Sequence, residues 1–221
     1  MNDFVQFFSD SDPSNVSTSI KMMLLLTVLS LAPAILILMT SFARIIIVLS
    51  FVRTALATQQ MPPNQVLVGL ALFLTFFIMA PTFSQVNDNA LKPLFAEEIT
   101  LEEAYEEASL PLKEFMSKHT RQKDIELFLR YNEVERPESL KDIPLTMLVP
   151  AFALSEIKTA FQMGFMIFIP FLVIDMIVAS ILMSMGMMML PPVMISLPFK
   201  ILLFVLVDGW YLIIKSLLQS F

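Results

Sequence analysis

The side chains able to do chemistry in this chain are few, and most of them stand in apolar surroundings. Arg44, Glu156, Asp175, Lys200 and Asp208 each interrupt a long hydrophobic run. A charge inside such a run is costly and is usually paired or functional. Asp175 lies 14 residues before Met189 and Asp208 lies 19 after it, so the two carboxyls flank one turn. Facing carboxyls that share a proton are the device of an aspartyl protease. Asp208, however, stands in V-D-G-W rather than in a G-x-G-D context, which speaks against that chemistry. Glu156 and Lys200 carry opposite signs in neighbouring arms, and the expected role is a buried ion pair, within one chain or between copies. A buried Asp175 or Asp208 could instead carry a proton in a coupled transporter. No repeated half with matching broken helices accompanies them, as that architecture often shows.

Other chemistries are excluded by composition. The chain has no cysteine, so thiolate metal sites, disulfides and cysteine nucleophiles are ruled out. His119 is the only histidine and lies in a charged segment, whereas a zinc protease needs at least two. The four glycines, Gly69, Gly164, Gly186 and Gly209, form no phosphate-binding loop. The expectation is a protein that is not an enzyme and that holds neither cofactor nor metal.

What remains is a concentration of methionine. Residues 183–192 read M-S-M-G-M-M-M-L-P-P, so five of the first seven are methionine, between two apolar runs and before a double proline. Methionine is unbranched and polarizable and re-packs around changing shapes. Proline lacks the amide N–H and clashes with the preceding turn, so the helix is expected to break at Pro191 and Pro192. Met187, Met188 and Met189, with Met183 and Met185 nearby, would then sit at the tip of a helical hairpin. Such a tip is either a core turn or a deformable apolar seal.

The elements that must position these residues are membrane-like. Hydrophobic residues make up 57% of the chain and charged ones only 15%, well beyond the soluble norm. The first apolar run, 22–43, has 22 residues, enough to cross a hydrocarbon layer of about 30 Å. Arg44 interrupts it, 45–52 continues it, and Pro33 predicts a kink. The second run is 66–83. A third begins near Thr146 and is mostly apolar over 161–189, and a fourth covers 193–214. The expected fold is all-α and polytopic, with about four apolar helices paired as two long kinked hairpins. Its parts are a polar segment 1–21, a first hairpin 22–86, an acidic helical segment 87–145 and a second hairpin 146–221.

Charge is distributed unevenly between these parts. Residues 87–143 hold 14 acids against 8 Lys and Arg, and the rest of the chain holds 6 of each. Asn87, Asp88 and Asn89 mark an expected exit into water. E-E-I-T-L-E-E-A-Y-E-E at 97–107 and a second pattern over 113–130 predict two helices punctuated by Pro111, Pro137 and Pro144. The acids form a solvated face that would repel a phosphate backbone, so nucleic acid is not an expected partner. Residues 1–20 carry three aspartates and no Lys or Arg, unlike the basic start of a signal peptide. They are expected to be uncleaved or already processed. The loop 53–64 carries Arg53 and no acid, which places it inside and the acidic segment outside.

Two blocks carry a resemblance to a known family: P-A-F-A-L-S-E-I-K-T-A-F-Q-M-G-F at 150–165 and P-F-K-I-L-L-F-V-L-V-D-G-W at 198–210. I-D-M-I-V-A-S at 174–180, the methionine stretch and the Arg44 hairpin fit as well. With these the chain resembles the FliP family of export-gate proteins of flagellar and virulence type III secretion. The resemblance implies a ring of copies, five in number, joined by FliQ-like and FliR-like subunits into a conical gate. It implies contact with FlhB-like and FlhA-like proteins, with unfolded flagellar subunits as cargo, in the flagellar basal body at the bacterial inner membrane. It also implies that Met187, Met188 and Met189 converge on the pore as a gasket. The near-identity of the two blocks favours a flagellar over an injectisome member, and a small-solute or proton transporter is the alternative class.

Overall fold

The computed structural model describes residues 37–58, 60–132, 142–187 and 189–221, with scattered positions between 22 and 35. The 1–21 segment, the kink at Pro33, Pro137 and Met188 lie outside the described residues. Residues 1–37 and 38–221 are separate compact units, and the first is helical at its described positions. Among the described residues every regular element is a helix.

In the second unit, α1 (Phe42–Ala55) is the central element. Its sequence is apolar on nearly every side, and Ile45, Val48, Leu49, Val52 and Ala55 are fully buried. They pack on Leu67 and Ala71 of α2 (Asn64–Val86) and on Ala160 and Phe171 of α6 (Leu145–Ser184). Phe204, Ile213 and Leu217 complete the cluster from α7 (Pro192–Leu206) and α8 (Gly209–Gln219). A helix that is hydrophobic all round belongs in a core or a membrane, and α1 takes the core.

Two expected breaks are bridged. The chain does not leave its helix at Asn87: a π turn over Asn87–Leu91 carries it into α3 (Lys92–Phe95). Lys92 pairs with Asp88 at 2.7 Å across that turn, an i,i+4 contact that supports the helical path. Pro111 does not divide the acidic segment either, since α4 runs unbroken over Leu101–His119. Glu107, four residues back, is exposed, so the carbonyl that proline leaves unbonded can meet water. Pro150 and Pro170 likewise lie inside α6, one helix of 40 residues.

The helix starts obey local rules. Thr100 caps α4, accepting from the Glu103 N–H while the Glu103 carboxylate accepts from the Thr100 N–H at 2.8 Å. This reciprocal box satisfies two donors that a helix start leaves open. The Thr100 N–H, and after it the Thr100 hydroxyl donating to the same carboxylate oxygen at 2.9 Å, hold the exposed Glu103 carboxyl below its ordinary range. After a break at Thr120 the short amphipathic α5 (Gln122–Tyr131) packs on α6. Met116, Ile143, Leu148 and Phe152 form a second core joining α4 to the first turns of α6.

Two helical stretches, Asn64–Phe95 and Leu145–Ser184, are long and apolar enough to cross a membrane, or three if the bent pair α7–α8 counts as one. The fourth apolar run is therefore two helices, bent by 62°. The first run, 22–43, is described only in part before residue 37.

Candidate functional site

The methionine tip is built on a helix stop. α6 ends at Ser184, Gly186 takes a left-handed φ of +75° and the chain reverses. The Met187 N–H donates to the Leu182 carbonyl at 3.0 Å and the Gly186 N–H to the Met183 carbonyl at 3.1 Å. These two bonds make a Schellman cap, which needs a residue tolerant of positive φ. The stop is therefore set at Gly186, several residues ahead of the expected break at Pro191 and Pro192. Pro192 instead opens α7, where a missing N–H costs nothing. Met183, Met185, Met187 and Met189 are all exposed, Met189 at 98%. Beside them an apolar groove of about 430 Å³ runs between α6 and α7, lined by Ile177, Ile181, Met185 and Phe199 among others.

Below the tip, α6 and α7 are joined by charge. The Lys200 ammonium meets the Asp175 Oδ2 at 2.6 Å, and the Ser196 hydroxyl donates to Oδ1 at 2.5 Å. Lys200 and Ser196 are buried. Ser196 stands one turn before Lys200, so both reach one carboxylate from the same helix face. Both oxygens of Asp175 are thus engaged in the manner of a structural ion pair, not of a proton-sharing dyad.

A second charged centre lies where α1, α6 and α8 meet. Arg44 grips Glu156 with two nitrogens, Nε donating to Oε2 at 2.8 Å and Nη2 to Oε1. Its Nη1 donates to the Ser220 carbonyl at 2.8 Å and to the Ser220 hydroxyl at 3.0 Å. Its guanidinium lies 3.8 Å from the centre of the Phe221 ring. Arg44 is 3% exposed and Glu156 1%. A planar fork saturated in this way is the geometry in which a buried arginine is tolerated. The expected pairing of Glu156 with Lys200 inside one chain is therefore replaced by two other pairs. Each charge has a nearer partner whose position depends on helix packing and not on sequence spacing.

Asp208 departs from expectation too. It is exposed, not buried, and adopts a left-handed φ of 51° between α7 and α8. The Leu212 N–H donates to its carbonyl at 3.1 Å, so its role is to turn the chain. Ser196 and Ser220 were missed as site residues. Ser196 was legible from its spacing to Lys200, whereas nothing local connects Ser220 to Arg44.

Phe221 extends the Arg44 centre towards α4. Its ring lies 5.2 Å from His119 and 6.2 Å from Phe115. Burial, then the nearby Arg44 and Lys118 charges, push the His119 imidazole down to about 4. A cavity of about 400 Å³ opens beside it, lined by Phe77, Gln85, Glu114 and Lys118 among others. Among the described residues no cluster of His, Cys, Asp or Glu could hold a metal ion.

A chain that is all-helical among the described residues, with membrane-length apolar helices, charges neutralised in pairs inside it and an acid-rich segment between apolar helices, is a polytopic membrane-type protein. The FliP family model matches residues 25–217, and the chain belongs to that family. It is 76% identical over 221 residues to the flagellar biosynthetic protein FliP of Bacillus subtilis, covering 100% of both chains. It is 55% identical to the protein of that name from Caulobacter vibrioides, covering 89% of this chain and 74% of the relative. For the Pectobacterium carotovorum protein the identity is 54%, over 92% and 79%.

Proposed function

We propose that this chain is a channel subunit of the flagellar protein export gate in the bacterial inner membrane. Several copies, five by the family resemblance, would form the ring with FliQ-like and FliR-like subunits, next to FlhB-like and FlhA-like proteins. The observation that carries this reading is the tip: exposed methionines on a backbone held rigid by a Schellman cap, with the Lys200–Asp175–Ser196 linkage tying its two arms. A resting gate must exclude ions and still admit an unfolded chain. A dry apolar constriction resists ions because a charge cannot stay hydrated within it. Three rotatable bonds per methionine let the side chains close around differing shapes. Rigid backbone with compliant side chains meets both demands. The flagellar names of the relatives favour a flagellar over an injectisome gate.

Replacing Met187, Met188 and Met189 together separates a seal from a core turn. With alanine, we expect normal assembly and a leak of small ions and dye. With leucine, which keeps volume and loses compliance, the gate stays closed and export falls. A core turn would instead lose about 2–5 kcal/mol per buried methionine and lower the protein level without a leak. A tight, fully assembled triple-alanine complex overturns the seal.

A further inference from the structure

The ends of α4 carry opposite charge. At its start, Glu97, Glu98, Glu102, Glu106 and Glu107 are exposed, and none of them is in an ion pair among the described residues. Three exposed apolar side chains stand among them: Phe95 at 82%, Leu101 at 76% and Tyr105 at 65%. Past its far end, cations gather where α5 is pinned to α6. The Ser155 hydroxyl accepts from the Arg121 N–H at 3.0 Å and donates to Asp124 Oδ2 at 2.5 Å. Arg121 meets the same Asp124 oxygen at 2.5 Å, and its buried Nε has no acceptor. Lys158 lies one turn beyond Ser155, and both it and Lys123, which adjoins Asp124 in sequence, are exposed. Arg121, Lys123 and Lys158 thus flank a carboxylate already paired with Arg121, and like charges gathered in one place repel unless further anions lie between them. Exposed Leu154 and Ile157 on α6 and Leu127 on α5 neighbour the cluster in sequence.

Glu106 lies 13 residues before His119, where α4 ends, about 20 Å along the helix, so one rigid copy cannot bring its two patches together. A second copy can. Resting on the multi-copy reading above, we infer that the acidic start of α4 in one copy docks on the Arg121, Lys123 and Lys158 cluster of the next. Phe95, Leu101 and Tyr105 form the apolar centre of the contact. Two different patches meeting head to tail make a heterologous interface, the kind that closes into a ring. Apolar anchors within a charged surround are also the usual anatomy of a protein contact. Nothing comparable is offered to a lipid headgroup, which would use the cations and leave the acidic patch without a role.

The absence of cysteine allows a clean test. Two differently tagged full-length chains, one Glu106→Cys and one Lys158→Cys, are expressed together with their native partners and oxidised. Disulfide-linked mixed dimers are expected, and none when both substitutions sit on one chain expressed beside the unaltered one. Lys123→Glu with Lys158→Glu, or Glu102→Lys with Glu106→Lys, should each lower assembled copies about tenfold or more. All four changes together should restore most of that loss. If either double variant fails to accumulate, Lys123→Gln with Lys158→Gln replaces it, and ring recovery should then lose its salt dependence. A multi-copy complex without cross-links, or a quadruple variant no better than either double, overturns the inference and leaves the ring intact. A complex with one copy overturns both readings. Loss of binding to phosphatidylglycerol vesicles in the lysine variant, with the glutamate variant assembling normally, would reassign the cluster to lipid.

Discussion

Arg44 shows how much a single residue can organise. It neutralises Glu156, fixes the Ser220 backbone and carries the Phe221 ring, so three parts of the chain, α1, α6 and the residues after α8, depend on one fork. Removing one member of such a buried pair leaves an uncompensated charge, at a cost of about 3–5 kcal/mol. His119, against the same ring, makes the arrangement sensitive to acid. Its folded pKa of about 4 lies below the ordinary 6.5. The stability it contributes is full above 6.5 and is lost as pH falls towards 4, because only the unfolded chain takes up the proton. We expect the melting temperature of the purified complex to fall more steeply from pH 6.5 to 4 than that of a His119→Phe variant, which keeps the ring stacking. Superimposable curves would show that the imidazole does not titrate in this way. The charged residues themselves were legible in the sequence, because each stands out against apolar neighbours. Their partners were not, since Arg44 and Glu156 are separated by 112 positions and only helix packing sets their register.

At the scale of elements, the stops were misplaced more often than the helices. Proline at Pro111, Pro150 and Pro170 removes one backbone bond each, and helices of this length absorb the loss. Gly186, with its positive φ, does what the prolines do not. Another glycine sets how closely two helices approach. A Cβ on Gly164 of α6 would lie 2.5 Å from the Phe51 ring of α1, in the most extensive contact among the described helices. Gly164→Ala should therefore destabilise the protein by about 1–3 kcal/mol, read as a lower melting temperature and protein level. Phe51→Leu in the same chain should recover part of the loss. A neutral Gly164→Ala would mean that the ring moves aside freely.

For the molecule as a whole, composition revealed the membrane character, because hydropathy integrates over many residues. What covers the exposed Phe73, Phe77, Phe165 and Met166 was not legible, because lipid and a protein neighbour present the same apolar demand. Orientation can be tested directly. Ser109, within the acidic segment, is only 8% exposed, so exposed Glu107 and Gln60 are the reporter positions. Glu107→Cys should react with an impermeant thiol reagent in cells stripped of any outer barrier, and Gln60→Cys should not. The reverse pattern would invert the topology.

The length of α6 also constrains where the methionine tip can sit. Forty residues make a rod of about 60 Å, twice the hydrocarbon thickness. Wherever this ruler is laid, some 30 Å of it stands clear of the oil. One end is tied through Leu148 and Phe152 to α4, and the other bears the methionines. If the methionine tip is the seal proposed above, its altitude is set by a fixed length measured from the acidic segment, whatever the thickness of the bilayer around it.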